Sequence, residues 1–343
     1  MRCTIVPPHI LERIVERTDD PELRASARRS LVIDSAQRTE RRITPTVPTT
    51  TVEATGVPNR TIKDAKNQEE LPGDTVRAEG ADPTGDIVAD QAYDWLGATF
   101  KLYQEVYGRN SIDGAGLPMI STVHYGVQYD NAFWNGEQMV YGDGDGRLFT
   151  DFTGPLDVTG HELTHGVTQY TAGLAYYGQS GALNESLSDV FGSLIKQYHL
   201  GQTAEEADWL IGAGLLAPSV HGVALRSMKE PGTAYDDAEL GKDPQPANMS
   251  GYVRTHSDNG GVHINSGIPN RAFYLAAAAI GGNAWEKAGQ VWYDTLTGGL
   301  LYPDSDFKGF ATATITAAGR RYGETSTEKD AVSNAWTGVG VTV

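Results

Sequence analysis

Gly160-His161-Glu162-Leu163-Thr164-His165-Gly166 is the stretch that decides how this chain reads. On a helix, His161 and His165 stand four residues apart on one face, close enough to hold a single metal ion. Glu162 follows the first histidine. It lies beside such an ion without ligating it, where a general base for a water molecule belongs. Three specified positions make a short pattern, so a third ligand and a supporting shell are needed before it means an enzyme.

The next informative block is Gly181-Ala182-Leu183-Asn184-Glu185-Ser186-Leu187-Ser188-Asp189. Glu185 and Asp189 share one helix face, and Leu183, Leu187, Val190 and Leu194 form the apolar side. A carboxylate bordering that side is costly to bury unless it meets a cation. Zinc is such a cation: Glu185 completes two histidines and a glutamate and leaves a fourth position for water. Asp189 then accepts the free ring N–H of His161 or His165. On spacing alone, both acids could also line a solvated face.

Length and composition set the frame. With 343 residues, 39% of them hydrophobic, the chain can bury a core of one large or two ordinary domains. Its single cysteine, Cys3, allows no internal disulfide. A net charge of −17 argues against a nucleic-acid surface, and no apolar run is long enough to span a membrane. The N-terminus lacks a continuous apolar core before Pro7 and Pro8, so no Sec signal is read there. The protein either stays in the cytoplasm or leaves by a route the sequence does not display. Residues 1–50 hold nine arginines and seven acids, so a slightly basic leader precedes an acidic body. Such a leader can dock on that body or trail as a solvated tail.

Pro7 to Arg17 reads as an amphipathic helix, and a second helix follows from Asp20 as cap and Pro21 in the first turn to about Arg38. Thr44 to Thr51 reads as an extended linker. Two small helices cannot fold alone, so the leader is either disordered or packed on the body. From Val52 to about Gly154 the signals are strand-rich, interrupted by a helix from about Asp86 to Tyr107. A strand is expected over Met119–Tyr125, and Asn135-Gly136 reads as a hairpin turn between Asn131–Trp134 and Glu137–Tyr141. Gly142–Gly146 lacks the length and closing glutamate of an EF-hand and reads as a tight turn. After the His161 helix, which Gly173 could end, helices are expected over Ala182–Tyr198, Pro269–Ile280, Ala284–Leu296, Ser305–Tyr322 and Thr327–Trp336. The division is a propeptide and linker (1–50), a β-rich lobe (51–155), a central metal-binding helix (156–173) and a helical lobe (174–343), with a cleft between the lobes.

His161–His165, Asn184–Asp189 and Asp258-Asn259-Gly260-Gly261-Val262-His263-Ile264-Asn265-Ser266-Gly267, in that order, resemble the signature blocks of the thermolysin family of zinc endopeptidases. The leader with Pro7-Pro8-His9-Ile10-Leu11 is similar to that of the protealysin-like branch, whose propeptides are short. The resemblance implies an α+β fold: a β-rich N-terminal lobe, a helical C-terminal lobe and one catalytic zinc in the cleft on His161, His165 and Glu185, as in thermolysin. It implies Glu162 as general base, His263 and Tyr176 as oxyanion donors, and Asp258 orienting His263. Asn131 and Ala132 on an edge strand would hold the backbone of a polypeptide substrate as an added strand. Arg226 would meet a substrate carbonyl beside a pocket of Phe149, Phe152, Val158, Ile211 and Leu225, which implies cleavage before large hydrophobic residues. A metzincin is excluded, since it would need glycine at Thr168 and histidine at Thr171.

One departure from that family concerns calcium. The paired calcium site's acidic positions read Lys196, Leu210 and Ala213 here, leaving Asp157 and Asp208, so a double calcium site is expected to be absent, with the lysine between the two aspartates. Cys3 offers a thiolate that could take the open zinc position and keep a zymogen latent, or it is an incidental thiol near the terminus. The leader is then the enzyme's own intramolecular inhibitor, released by cleavage near Arg42 to Thr51. A catalytically inactive, zinc-stabilised binding protein on the same scaffold is the alternative. It would fill all four zinc positions with protein ligands, whereas Glu162, His263, Asp258 and Tyr176 all remain.

Overall fold

Alternation and turn chemistry in the first third of the body build a six-stranded mixed sheet, and the leader extends it. The computed structural model describes residues 3–40 and 56–343, with side chains in the first segment from Thr4 to Ala36. The side chain of Cys3 and the linker from Thr44 to Thr51, with the cleavage region near Arg42, therefore lie outside the described residues. Strands β1 (Cys3–Thr4), β2 (Arg60–Asp64), β3 (Asp74–Ala78), β4 (Met119–Val123), β5 (Ala132–Trp134) and β6 (Met139–Tyr141) lie in the order β1-β5-β6-β4-β2-β3. β4 runs parallel to β2 and β6, and the remaining pairs are antiparallel. The Asn135-Gly136 turn joins β5 to β6: the Asn135 N–H donates to Gln138 O (3.1 Å), and its side-chain oxygen accepts from Glu137 and Gln138.

In the leader, α1 (Pro8–Arg17) starts one residue later than the sequence suggests, because Pro7 stands as its N-cap in extended backbone. Ile10, Leu11 and Ile14 are its buried face. α2 (Pro21–Glu40) is capped by Asp20, whose Oδ1 accepts from the Glu22 and Leu23 N–H groups (2.8 and 3.3 Å). The leader thus packs on the body, and its strand β1, which carries too few residues to show a period, was not anticipated. α3 (Ile87–Tyr107) lies between Asp86, which caps Val88 N, and a left-handed Gly108.

Two helices carry the centre of the molecule: α4 (Leu156–Gln169) and α5 (Gly178–Leu200). α4 stops at Gln169 instead of Gly173, because its last turn closes on Tyr170 while Gly173, at φ +59°, returns its N–H to Thr168 O (2.8 Å). Gly160 and Gly192 let the two helices approach closely. A Cβ on Gly160 would lie 3.0 Å from Gly192 Cα, and one on Gly192 would lie 2.7 Å from Asp157 O. After α5 come two small ladders, β7 (Leu210–Ile211) with β8 (Arg226–Ser227) and β9 (Asp236–Asp237) with β10 (Gly241–Lys242). Helices α6 (Asp258–Asn265), α7 (Gly267–Ile280), α8 (Ala288–Thr297), α9 (Phe307–Tyr322) and α10 (Thr327–Gly338) complete the chain. One apolar cluster runs from Ile5 in the leader through α3, α4 and α5 to Trp336 in α10, so sheet and helices share a core. Among the described residues, no helix is long and apolar enough to cross a membrane.

Candidate zinc site

α4 is buried on every side from Leu156 to Thr168, which is why no amphipathic stripe marks it and why its polar residues need partners. His161, His165 and Glu185, from α4 and α5, bring one ligand atom each within 4.8 Å of one another. The Nε2 atoms of the two histidines are 3.1 Å apart, and Glu185 carboxylate oxygens lie 3.5 Å from His161 Nε2 and 3.4 Å from His165 Nε2. Tetrahedral zinc ligands at about 2.1 Å stand roughly 3.4 Å from each other, so the three edges match. Glu185 is fully buried, yet its Oε2 has no hydrogen-bond partner, as a carboxylate oxygen reserved for a cation would be. Burial opposes its ionisation, but His263, His165 and His161 hold its pKa well below the usual range. Donor type, spacing and the orphaned oxygen all fit zinc.

The ring nitrogens facing away from this centre are fixed. His161 Nδ1 meets Asp189 Oδ1 at 2.7 Å, and His165 Nδ1 meets Asn184 Oδ1 at 2.8 Å and Ser188 Oγ at 3.0 Å. Of the two histidines left open by the sequence, Asp189 thus serves His161. Asp189 also accepts from Arg226 Nε and Nη2 (both 2.9 Å) and from Asn270 Nδ2 (2.8 Å). Burial pushes its pKa up, but Arg226 and His161 overcome this and hold it at about 2. Asn184 and Asn270 were missed. Asn184 adjoins Glu185 in sequence and could have been suspected; nothing local marks Asn270.

Glu162 is fully buried, with Oε2 accepting the Trp134 N–H (3.0 Å) and Oε1 without a hydrogen-bond partner. Burial raises its pKa to about 8; His161 opposes the shift and Glu185 adds to it. His263 comes from the far side of the cleft. Asp258, Asn259, Gly260 and Gly261 all have positive φ, a run that asparagine and glycine tolerate, and it turns the Asp258 carboxylate back on the helix. Asp258 Oδ1 lies 2.6 Å from His263 Nδ1, and Oδ2 accepts the His263 N–H at 2.9 Å. Burial lowers the His263 pKa, but Asp258 and Glu185 outweigh it and the net shift is upward. The Tyr176 hydroxyl lies 3.2 Å from His263 Nε2 and hydrogen-bonds Glu185.

The leader crosses this cleft. β1 is the sheet's edge strand beside β5, and Ala132 O accepts the Ile5 N–H at 3.1 Å. Asn131 Oδ1 accepts the Val6 N–H (2.9 Å), while Arg226 Nη1 donates to Ile5 O (3.0 Å). Phe149, Phe152, Val158, Ile211 and Leu225 are all buried in the same apolar cluster as Ile5. Lys196, away from the cleft, places Nζ 2.7 Å from Asp157 Oδ2, 2.9 Å from Asp208 Oδ1 and 2.7 Å from Leu210 O.

A helix pair with two histidines and a glutamate, a buried carboxylate beside them and an Asp–His pair across the cleft define a zinc metallopeptidase of the thermolysin family, and the chain belongs to it. Residues 42–169 match the family's thermolysin metallopeptidase, catalytic domain, and 172–341 its alpha-helical domain. The chain is 55% identical over 346 residues to an extracellular metalloprotease of Pectobacterium carotovorum subsp. carotovorum, covering 99% of this chain and 97% of that one. Protease PrtS of Photorhabdus sp. (strain Az29) is 48% identical over 346 residues, 99% of this chain and 92% of its own. Among solved structures, the precursor of protealysin, a metalloproteinase from Serratia proteamaculans, superposes with a TM-score of 0.91 at 52% identity, covering 99% of this chain and 100% of that one. The chain is therefore a thermolysin-like zinc metalloendopeptidase of the protealysin-like type, and the alternative of an inactive binding protein is set aside.

Proposed function

We propose that this endopeptidase is made as a latent precursor, and that once its leader is removed it cleaves polypeptides before large hydrophobic residues. Zinc held by His161, His165 and Glu185 would supply Lewis-acid polarisation of the water and of the peptide carbonyl. Glu162 takes a proton from water as it attacks the carbonyl carbon and passes it to the leaving amine. His263 and Tyr176 donate to the oxygen that gains charge, and Asp258 holds the His263 ring in place. Asn131, Ala132 and Arg226 bind the substrate backbone as an added strand. Phe149, Phe152, Val158, Ile211 and Leu225 line the apolar pocket that receives the residue after the scissile bond.

The observation that carries this reading is the Glu162 carboxylate, fully buried beside the ligand cluster with one oxygen unpartnered. Such a desolvated acid is costly for a purely structural site and suits a proton carrier. Casein or peptide cleavage by the leader-processed chain, with and without a zinc chelator, is the test. Glu162→Ala is expected to lower kcat by ~10²–10⁴-fold. Activity equal to that of the unsubstituted chain would sink the reading.

We also infer that Lys196 takes the place of a double calcium site. Burial disfavours its charge, but Asp157 and Asp208 more than restore it, and its pKa is raised overall. An ammonium so held repels a divalent cation from the same carboxylates.

A further inference from the structure

The leader lies in the cleft in the direction and register of a substrate, and we propose that its Thr4–Ile5 peptide bond is a self-cleavage site. This rests on the peptidase reading above and names one particular substrate for it. β1 runs antiparallel to β5, with Cys3 opposite Trp134 and Thr4 opposite Phe133. From Thr4 to Val6, the backbone groups around a single peptide bond meet body residues one by one. The Thr4 carbonyl oxygen lies 3.2 Å from His263 Nε2, the nitrogen that also meets the Tyr176 hydroxyl. The Ile5 N–H donates to Ala132 O, and the Ile5 carbonyl accepts from Arg226. Val6 is held from both sides by the Asn131 amide, which accepts its N–H and donates to its carbonyl (3.2 Å).

A leader that blocked the cleft in a foreign direction would not place its groups in this order. Here the carbonyl of Thr4 faces His263 Nε2, a donor suited to an oxygen gaining negative charge, and the following side chain, Ile5, is completely buried. Such alignment brings a bond toward reaction instead of away from it. In the step, the oxygen of water bonds to the Thr4 carbonyl carbon and the C–N bond to Ile5 breaks. One proton passes through Glu162 to the Ile5 nitrogen, leaving a Thr4 carboxylate and an Ile5 ammonium after ordinary proton equilibration. No further reactant is required.

The cut frees only Met1–Thr4. Ile10, Leu11, Ile14 and Leu23 keep the rest of the leader in the shared core, and Ser26 Oγ donates to Asp130 Oδ2 at 2.7 Å. Ile5 onward therefore remains seated on the side of the cleft that follows the scissile bond.

The test uses the full-length chain loaded with zinc. Intact-mass measurement and N-terminal sequencing over time are expected to show loss of Met1–Thr4 and a new terminus at Ile5, at a rate independent of protein concentration. Glu162→Ala should keep the bond intact, and Ile5→Gly should slow its loss ~10–100-fold by emptying an apolar pocket. A second readout needs no turnover: in full-length Glu162→Ala, the Ile5 and Val6 amides should be protected from hydrogen exchange. Exchange at the rate of a free chain would remove the register on which the site rests. A chain that cleaves an added peptide while every recovered leader fragment still spans Thr4–Ile5 overturns the self-cleavage site alone. One that cleaves no added peptide even after its leader has been removed overturns the peptidase reading with it.

Discussion

Asp189 is the residue on which most of the site converges, because its two oxygens serve His161, Arg226 and Asn270 together, fully buried. Removing its charge leaves Arg226 buried without its counter-ion, and breaking a buried pair in this way typically costs ~3–5 kcal/mol. It also frees the His161 ring, and loss of such an outer partner generally lowers metal affinity ~10–100-fold. Asp189→Asn is therefore expected to weaken zinc binding in a competition titration with a chromophoric chelator and to lower the denaturation midpoint. Unchanged zinc affinity would show that the His161 ring is oriented by something else. The carboxylate's role was partly legible, since it lies four residues after Glu185 on one helix face. That it would be shared with Arg226 was not, because 37 residues separate them and no local pattern links β8 to α5.

Between elements, two charged clusters join pieces of chain that are distant in sequence. Lys196 ties α5 to the start of α4 and to the segment before β7. Stripping calcium with a selective chelator while zinc is retained is expected to leave the unfolding temperature unchanged, whereas Lys196→Ala should lower it by exposing Asp157 and Asp208 to each other. A sharp fall on calcium removal alone would mean a calcium site persists. His124 joins Asp86, the cap of α3, to Asp143 beyond β6, both at 2.9 Å. The Asp143 hydrogen bond, with help from Asp86 and against burial, raises its pKa from 6.5 to about 9. A raised histidine stabilises the fold fully below 6.5 and loses that contribution as pH rises through about 9. The difference in unfolding temperature between the wild type and His124→Gln should accordingly shrink from pH 6.5 to above 9; a constant difference would refute the charged state. Asp143 was legible as a turn residue and Asp86 as the start of a helix, but their meeting at one imidazole depends on the sheet bringing β4 beside β6.

At the scale of the whole molecule, the leader's docking buries acids as well as apolar groups. Asp130 receives Ser26 Oγ on one oxygen, donates its N–H to Ser30 Oγ (2.9 Å), and has its other oxygen unpartnered. Burial, with Asp145 adding to it and Ser26 opposing, pushes its pKa well above the ordinary 3.8. A docked state that binds this extra proton is favoured at low pH and loses the advantage as pH rises through the raised value. Leader release from a chain already cut in its linker should therefore quicken with rising pH, and Asp130→Asn should blunt that dependence. An identical pH profile in the variant would remove Asp130 from the process. The Arg147–Asp20 contact (2.7 Å), between an exposed arginine and a half-buried aspartate at the surface, adds little by comparison.

The sequence alone determined the ligand set and the fold family. His161, His165 and Glu185 obey helical spacing within two blocks, and helix periodicity and capping residues place most of the helices within a few residues of their ends. Only the tertiary structure decided who supports those ligands and what covers them. Asn270, Arg226 and the Trp134 N–H reach the centre from separate elements through long-range folding, which periodicity cannot register. The leader's first strand is the sharpest case. Cys3 and Thr4 are too short a segment to have a period of their own, and they are a strand only because β5 presents an edge whose N–H and C=O groups must be paired when buried.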